Sequence, residues 1–156
     1  MRYGASVIAA LALSWAGTSA AAQDDADFMR EIGVEARDLG LERMADLLCG
    51  TVACEPATEA ERASPPVTDD EAASIAAVAV VSAAAQYCGL AWENESFLPM
   101  MAMWRSAPGS TTRKMALIGW THGVVQGQAM SAFGVQGECD EQSRAAVQSL
   151  LDEARD

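Results

Sequence analysis

Basic side chains are scarce in this 156-residue chain: 10 Lys and Arg stand against 22 Asp and Glu, a formal net charge of −12. Neutralising nucleic-acid phosphates needs clustered cations, so the shortage excludes a nucleic-acid partner and disfavours anionic lipid surfaces. Histidine is scarcer still, with His122 alone. No C-x-x-C, H-E-x-x-H or nucleophile-elbow pattern occurs, and Glu93-Asn94-Glu95 lacks the spacing of a calcium loop. Runs of strand-like alternation and internal repeats are missing too. Apolar residues, by contrast, make up 51% of the chain, too many for a disordered polymer and enough at this length for one domain with a core.

The first 22 residues read as a secretory signal peptide. Arg2 supplies a short positive region, Ala5 to Trp15 form an apolar stretch broken only by Ser6 and Ser14, and Ala20-Ala21-Ala22 fits cleavage before Gln23. No cysteine closely follows the apolar stretch, which argues against a lipid anchor. The expected organisation is a signal peptide over 1–22 and a single helical domain over 23–156, periplasmic or secreted. Export then decides how the cysteines read. Cys49, Cys54, Cys88 and Cys139 are even in number, and in an oxidising compartment they predict two disulfides. Cys49 with Cys54 and Cys88 with Cys139 is the favoured pairing, because the first pair is local and brackets a turn at Gly50-Thr51-Val52-Ala53. The paired C-x₂-C spacing of a zinc site is missing.

Helical periodicity organises the rest. Phe28, Ile32, Ala36 and Leu39 recur at helical intervals, and Leu41, Met44, Ala45 and Leu48 continue past Gly40. Arg30, Glu31, Glu35, Arg37, Asp38 and Glu42 fill the other face. A polar connector is expected near 55–67, where Pro56, Pro65 and Pro66 fall. Thr68-Asp69-Asp70-Glu71 is a capping box for a chargeless helix over Ala72 to Cys88. A shorter helix is predicted from about Ser96, as its cap, to Arg105, with Pro99 in its first turn. Ser110 or Thr111 caps a further helix over Thr112 to Phe133, and a last one begins near Asp140. The fold class is all-α: a small disulfide-stapled bundle of four or five helices.

Two patterns bear on function. Gly119, Gly123 and Gly127, extended by Ser131, lie four apart and share one helix face. Each interior glycine costs about 1 kcal/mol against alanine, so this is expected to be a helix-packing face, matched by Ala72, Ala76, Ala79 and Ala83. In a bilayer the same spacing drives helix association. Ala72 to Trp92 and Met115 to Gly137 contain no Asp, Glu, Lys or Arg, so one alternative is a two-helix inner-membrane protein associating through G-x-x-x-G. His122, Gln126, Gln128 and Gln136 oppose that, and a hairpin would set Cys88 and Cys139 at opposite membrane faces. The second pattern is a candidate ligand face of His122, Gln126, Met100 and Met103. Thioethers with an imidazole suit Cu(I), so another alternative is a periplasmic copper or small-ligand binding protein.

His122 has no partner motif that would make it catalytic, and the sequence assigns no catalytic residue, metal site or cofactor. In size and layout the chain is similar to small disulfide-stapled helical proteins of the bacterial periplasm, such as acid-stress chaperones. The expected function is that of an exported, non-catalytic helical protein acting by protein binding: an accessory subunit, an inhibitor or a chaperone-like protein. Its partner is expected to be another envelope protein.

Overall fold

A computed structural model describes residues 19–135 and 137–154. The signal-peptide reading therefore lies outside the described residues up to residue 18, and 19–22 are helical. Among the described residues six α-helices occur in order: α1 (Ser19–Glu42), α2 (Glu59–Ala63), α3 (Asp69–Tyr87), α4 (Leu98–Ser106), α5 (Thr112–Phe133) and α6 (Glu141–Glu153). Between α1 and α2 lies a two-stranded antiparallel hairpin, β1 (Leu48–Cys49) and β2 (Val52–Ala53), with Leu48 opposite Ala53. The fold is thus the stapled all-α bundle expected, with both disulfides in place: Cys49–Cys54 closes the hairpin and Cys88–Cys139 joins the end of α3 to the segment before α6. Such bonds fit an oxidising compartment.

Local chemistry starts the helices. The Thr68 hydroxyl accepts from the Glu71 amide at 3.2 Å, and the Glu71 carboxylate accepts from the Thr68 amide at 2.8 Å. Thr111 caps α5 through the Lys114 amide, and Asp140 caps α6 through the Ser143 amide. The supposed connector holds one more helix than expected, because Thr58 and Glu61 form a second capping box of the same spacing. Bidentate bonds at 2.8 Å from Arg113 of α5 to Glu61 hold α2 in place. This ion pair carries Glu61 well below the usual carboxylate range, to about 2.

Pairings along the helices give the topology. Glu71 meets Lys114, Ser82 meets His122 and Gln86 meets Gln126, so α3 and α5 run parallel, with α4 in the crossover. α1 runs against both: its C-terminal half meets the N-terminal half of α5 through Trp120, whose indole N–H donates to the Ala36 carbonyl at 3.2 Å. The parallel arrangement brings Cys88 and Cys139 to the same end of the bundle. Among the described residues no helix is long and apolar enough to cross a membrane. The core is formed by Met44, Val67, Ile75, Leu117 and Ile118, continued by Ala36, Ala76, Ala79 and Val125.

Arg37 corrects the reading of α1's charged face. It is 4% exposed; its guanidinium donates to the Val67 carbonyl at 3.1 Å and pairs with Asp38 and Asp69. The cation thereby ties α1 to the start of α3, a tertiary partnership that residue type alone does not announce.

Candidate functional site

Where α3 and α5 meet, a polar cluster interrupts the hydrocarbon. Ser82 Oγ lies 3.0 Å from His122 Nε2 and 2.8 Å from Ser96 Oγ. Ser96 comes from a single π-helical stretch, Glu93–Phe97, that leads into α4. The expectation that Ser96 caps this helix is corrected: its hydroxyl is turned inward to Ser82, and that stretch has no side-chain cap. The same turn sets Phe97 against the imidazole at a centroid distance of 4.8 Å, and Trp92 stacks on it at 6.5 Å. Thus His122 is 1% exposed, and burial pushes its pKa down from 6.5 to about 4. The ring is neutral at ordinary pH, and its Nε2 shares a hydrogen bond with the Ser82 hydroxyl.

A serine within hydrogen-bond reach of a neutral imidazole is the core of a nucleophile–base pair. Substrate access is what the pair lacks. Ser82 is wholly buried, aromatic rings close two sides of the imidazole, and no carboxylate among the described residues hydrogen-bonds to it. The cluster is suited to fixing the register of α3, α5 and the π-helical stretch, since each polar atom is satisfied only in one alignment. One turn along the same seam, Gln126 donates to Gln86 at 2.8 Å.

The proposed ligand face therefore divides. His122 and Gln126 share the inner face of α5, but each is engaged with its own partner on α3. Met100 is buried while Met103 is 56% exposed, so the two thioethers point to different sides of α4 and do not form one ligand set with the imidazole. No group of three or more His, Cys, Asp or Glu suited to a metal occurs among the described residues. The four cysteines are consumed by the two disulfides.

The glycine face also departs from expectation. Gly123 and Gly127 are exposed, with nothing within 4 Å of a Cβ built on either, and Gly119 meets only the Met101 methyl at 3.9 Å. Ser131 is exposed and bonds back to the Gly127 carbonyl. Ala72, Ala76, Ala79 and Ala83 are buried as foreseen, but Ala72 meets Gly33 of α1 instead, and α5 reaches α3 with Ile118, His122 and Val125. Bulky side chains, which fill space between helices, took the place of the smooth face.

An open feature lies on the other side of α5. Phe28, Met29 and Ile32 of α1, Val80 of α3, and Val125, Ala129 and Phe133 of α5 line a groove of about 120 Å³, with exposed Gln128 at its rim. Tyr87 stacks on Phe133 at 5.7 Å and stiffens one end. Sequence reasoning placed Phe28 and Ile32 on the apolar face of α1 but gave no sign of a groove, because its lining comes from three helices. No protein family, curated protein or solved structure matches the chain.

Proposed function

We propose that this chain is an exported, non-catalytic helical protein that acts by binding another protein of the envelope, as an accessory subunit, inhibitor or periplasmic chaperone. One observation carries the reading. The constellation with reactive groups, Ser96–Ser82–His122, is sealed, whereas the groove between α1, α3 and α5 is open and lined by hydrocarbon. Grooves of that kind receive apolar side chains of a partner helix. The two disulfides support it by holding a small scaffold rigid outside the reducing cytoplasm.

The test places a photo-reactive phenylalanine at Gln128, on the groove rim, and at exposed Ser74 of α3 as the control. Illumination of the envelope is expected to give a discrete protein adduct from position 128 only. Equal labelling from both positions, or no protein adduct at 128, overturns the reading.

A further inference from the structure

The charges around the groove say what kind of partner it takes. Every Lys and Arg of the three groove helices is already matched to a carboxylate of the chain. Arg30 pairs with Asp70 at 2.6 Å, Arg37 with Asp38 and Asp69, Arg113 with Glu61 and Lys114 with Glu71. α3 has no cation at all, and α5 has none beyond Lys114. Carboxylates, in contrast, are left over. Asp24 and Asp25 lie one helical turn before Phe28 and Met29, and Glu31 and Glu35 lie three residues after Phe28 and Ile32. All four are exposed, and none has an ion-pair partner among the described residues.

An apolar trough beside unpaired carboxylates makes two demands on an occupant: hydrocarbon for the trough and positive charge within a turn of it. We propose that the groove receives a cationic amphipathic helix of the partner protein, seating one bulky apolar side chain in the groove with Lys or Arg over Asp24, Asp25, Glu31 and Glu35. This rests on the protein-binding reading above and adds the partner's chemistry. Size limits the occupant: an enclosed void of about 150 Å³ holds a benzene ring, so this smaller groove, about 120 Å³, is sized for one aliphatic side chain. A long acyl tail would leave most of its length in water. A second copy of the chain is disfavoured by like charge, with a net −12 on each.

The experiment titrates the protein purified from its own cells with a fluorescent helical peptide of Leu, Ala and Lys. A counterpart in which each Lys is Glu serves as comparison. The Lys peptide is expected to bind about tenfold more tightly or better, with affinity falling as salt is added. Asp24→Asn and Asp25→Asn should each weaken it by about 2- to 5-fold, the range of a rim charge. Gln128→Trp, an exposed substitution that blocks the groove without disturbing the core, should weaken it by about tenfold, the loss of one buried apolar side chain. Phe28→Ala, which removes part of the wall, should act in the same direction.

Equal binding of the two peptides overturns the proposal. Binding of the Lys peptide that ignores Gln128→Trp and Phe28→Ala does so as well, because it reports general adhesion to an acidic surface. Saturable binding of dodecylammonium in place of the peptide would assign the groove to a small amphiphile, and self-association lost in Gln128→Trp would assign it to a second copy. Failure of both peptides alongside a groove-specific protein adduct from position 128 discards the cationic partner and keeps protein binding. Failure of both experiments discards the function itself.

Discussion

The glycines of α1 and those of α5 sit in opposite surroundings. At Gly33, α1 approaches α3 so closely that a Cβ would run into the backbone carbonyl of Ala72. At Gly40, two turns on, a Cβ would lie 2.5 Å from Trp120 Cδ1 and 2.6 Å from Leu117 Cδ1. At Gly123 and Gly127 of α5 it would meet nothing within 4 Å. Yet the G-x-x-x-G spacing belongs to α5. Small residues at that spacing show where a backbone can be approached, and only the partner's position shows whether it is. Here α1 runs on the other side of α5, where Trp120 reaches Ala36, and leaves the glycine face uncovered.

The sharpest way to break that comparison is Gly33→Ala. Overpacking costs about 1–3 kcal/mol, and the upper end applies because the obstacle is a backbone carbonyl that cannot rotate away. Urea unfolding of the disulfide-intact chain should therefore show a loss of about 3 kcal/mol. A negligible loss would mean that α1 and α3 are slack at Ala72, and the two sets of glycines would be alike.

A second test concerns the inner face of α5, which the glycine face is set against. His122 titrates at about 4 in the fold and near 6.5 when released. Below 6.5 the unfolded chain takes up a proton that the folded chain refuses until about 4, so acid favours unfolding. The stabilisation is complete above pH 6.5 and drains away as pH falls to about 4. Between pH 6.5 and 5, before most carboxylates protonate, urea unfolding should lose about 1.5 kcal/mol. In His122→Asn, which keeps a hydrogen-bonding side chain beside Ser82, that interval should be flat. A wild-type chain with no slope there would mean that water reaches the imidazole, and the sealed face would be sealed no longer.

What the sequence made legible was local. Thr68 with Glu71, Thr111 and Asp140 are helix signals contained within four residues, and each opens a helix where it was expected. The disulfide pairing followed from one short cysteine spacing. Thr58 with Glu61 carries the same signal as Thr68 with Glu71, but the prolines on either side masked it. What escaped depends on residues distant in the chain. Arg37 is buried because Asp69 and Val67 are brought to it, and Ser96 turns inward because Ser82 and His122 lie beneath it. The groove is of the same kind: the α1 half was visible as an apolar face, but Val80, Val125 and Phe133 were needed to make it concave.

The smallest effect tests the uncovered face directly. Alanine at Gly123 and Gly127 would add a methyl group into open space at each position. The backbone of α5 is already helical there, so the substitution spares the unfolded chain's extra freedom without a steric cost. Each should raise the unfolding free energy by about 0.5–1 kcal/mol, and the pair should be additive within error because neither methyl meets a shared neighbour. Gly119→Ala, beside the Met101 methyl at 3.9 Å, should fall slightly short of that gain. A loss at Gly123 or Gly127 would have only one physical source, a neighbour over the face in solution, and would restore the packing role that the spacing first suggested.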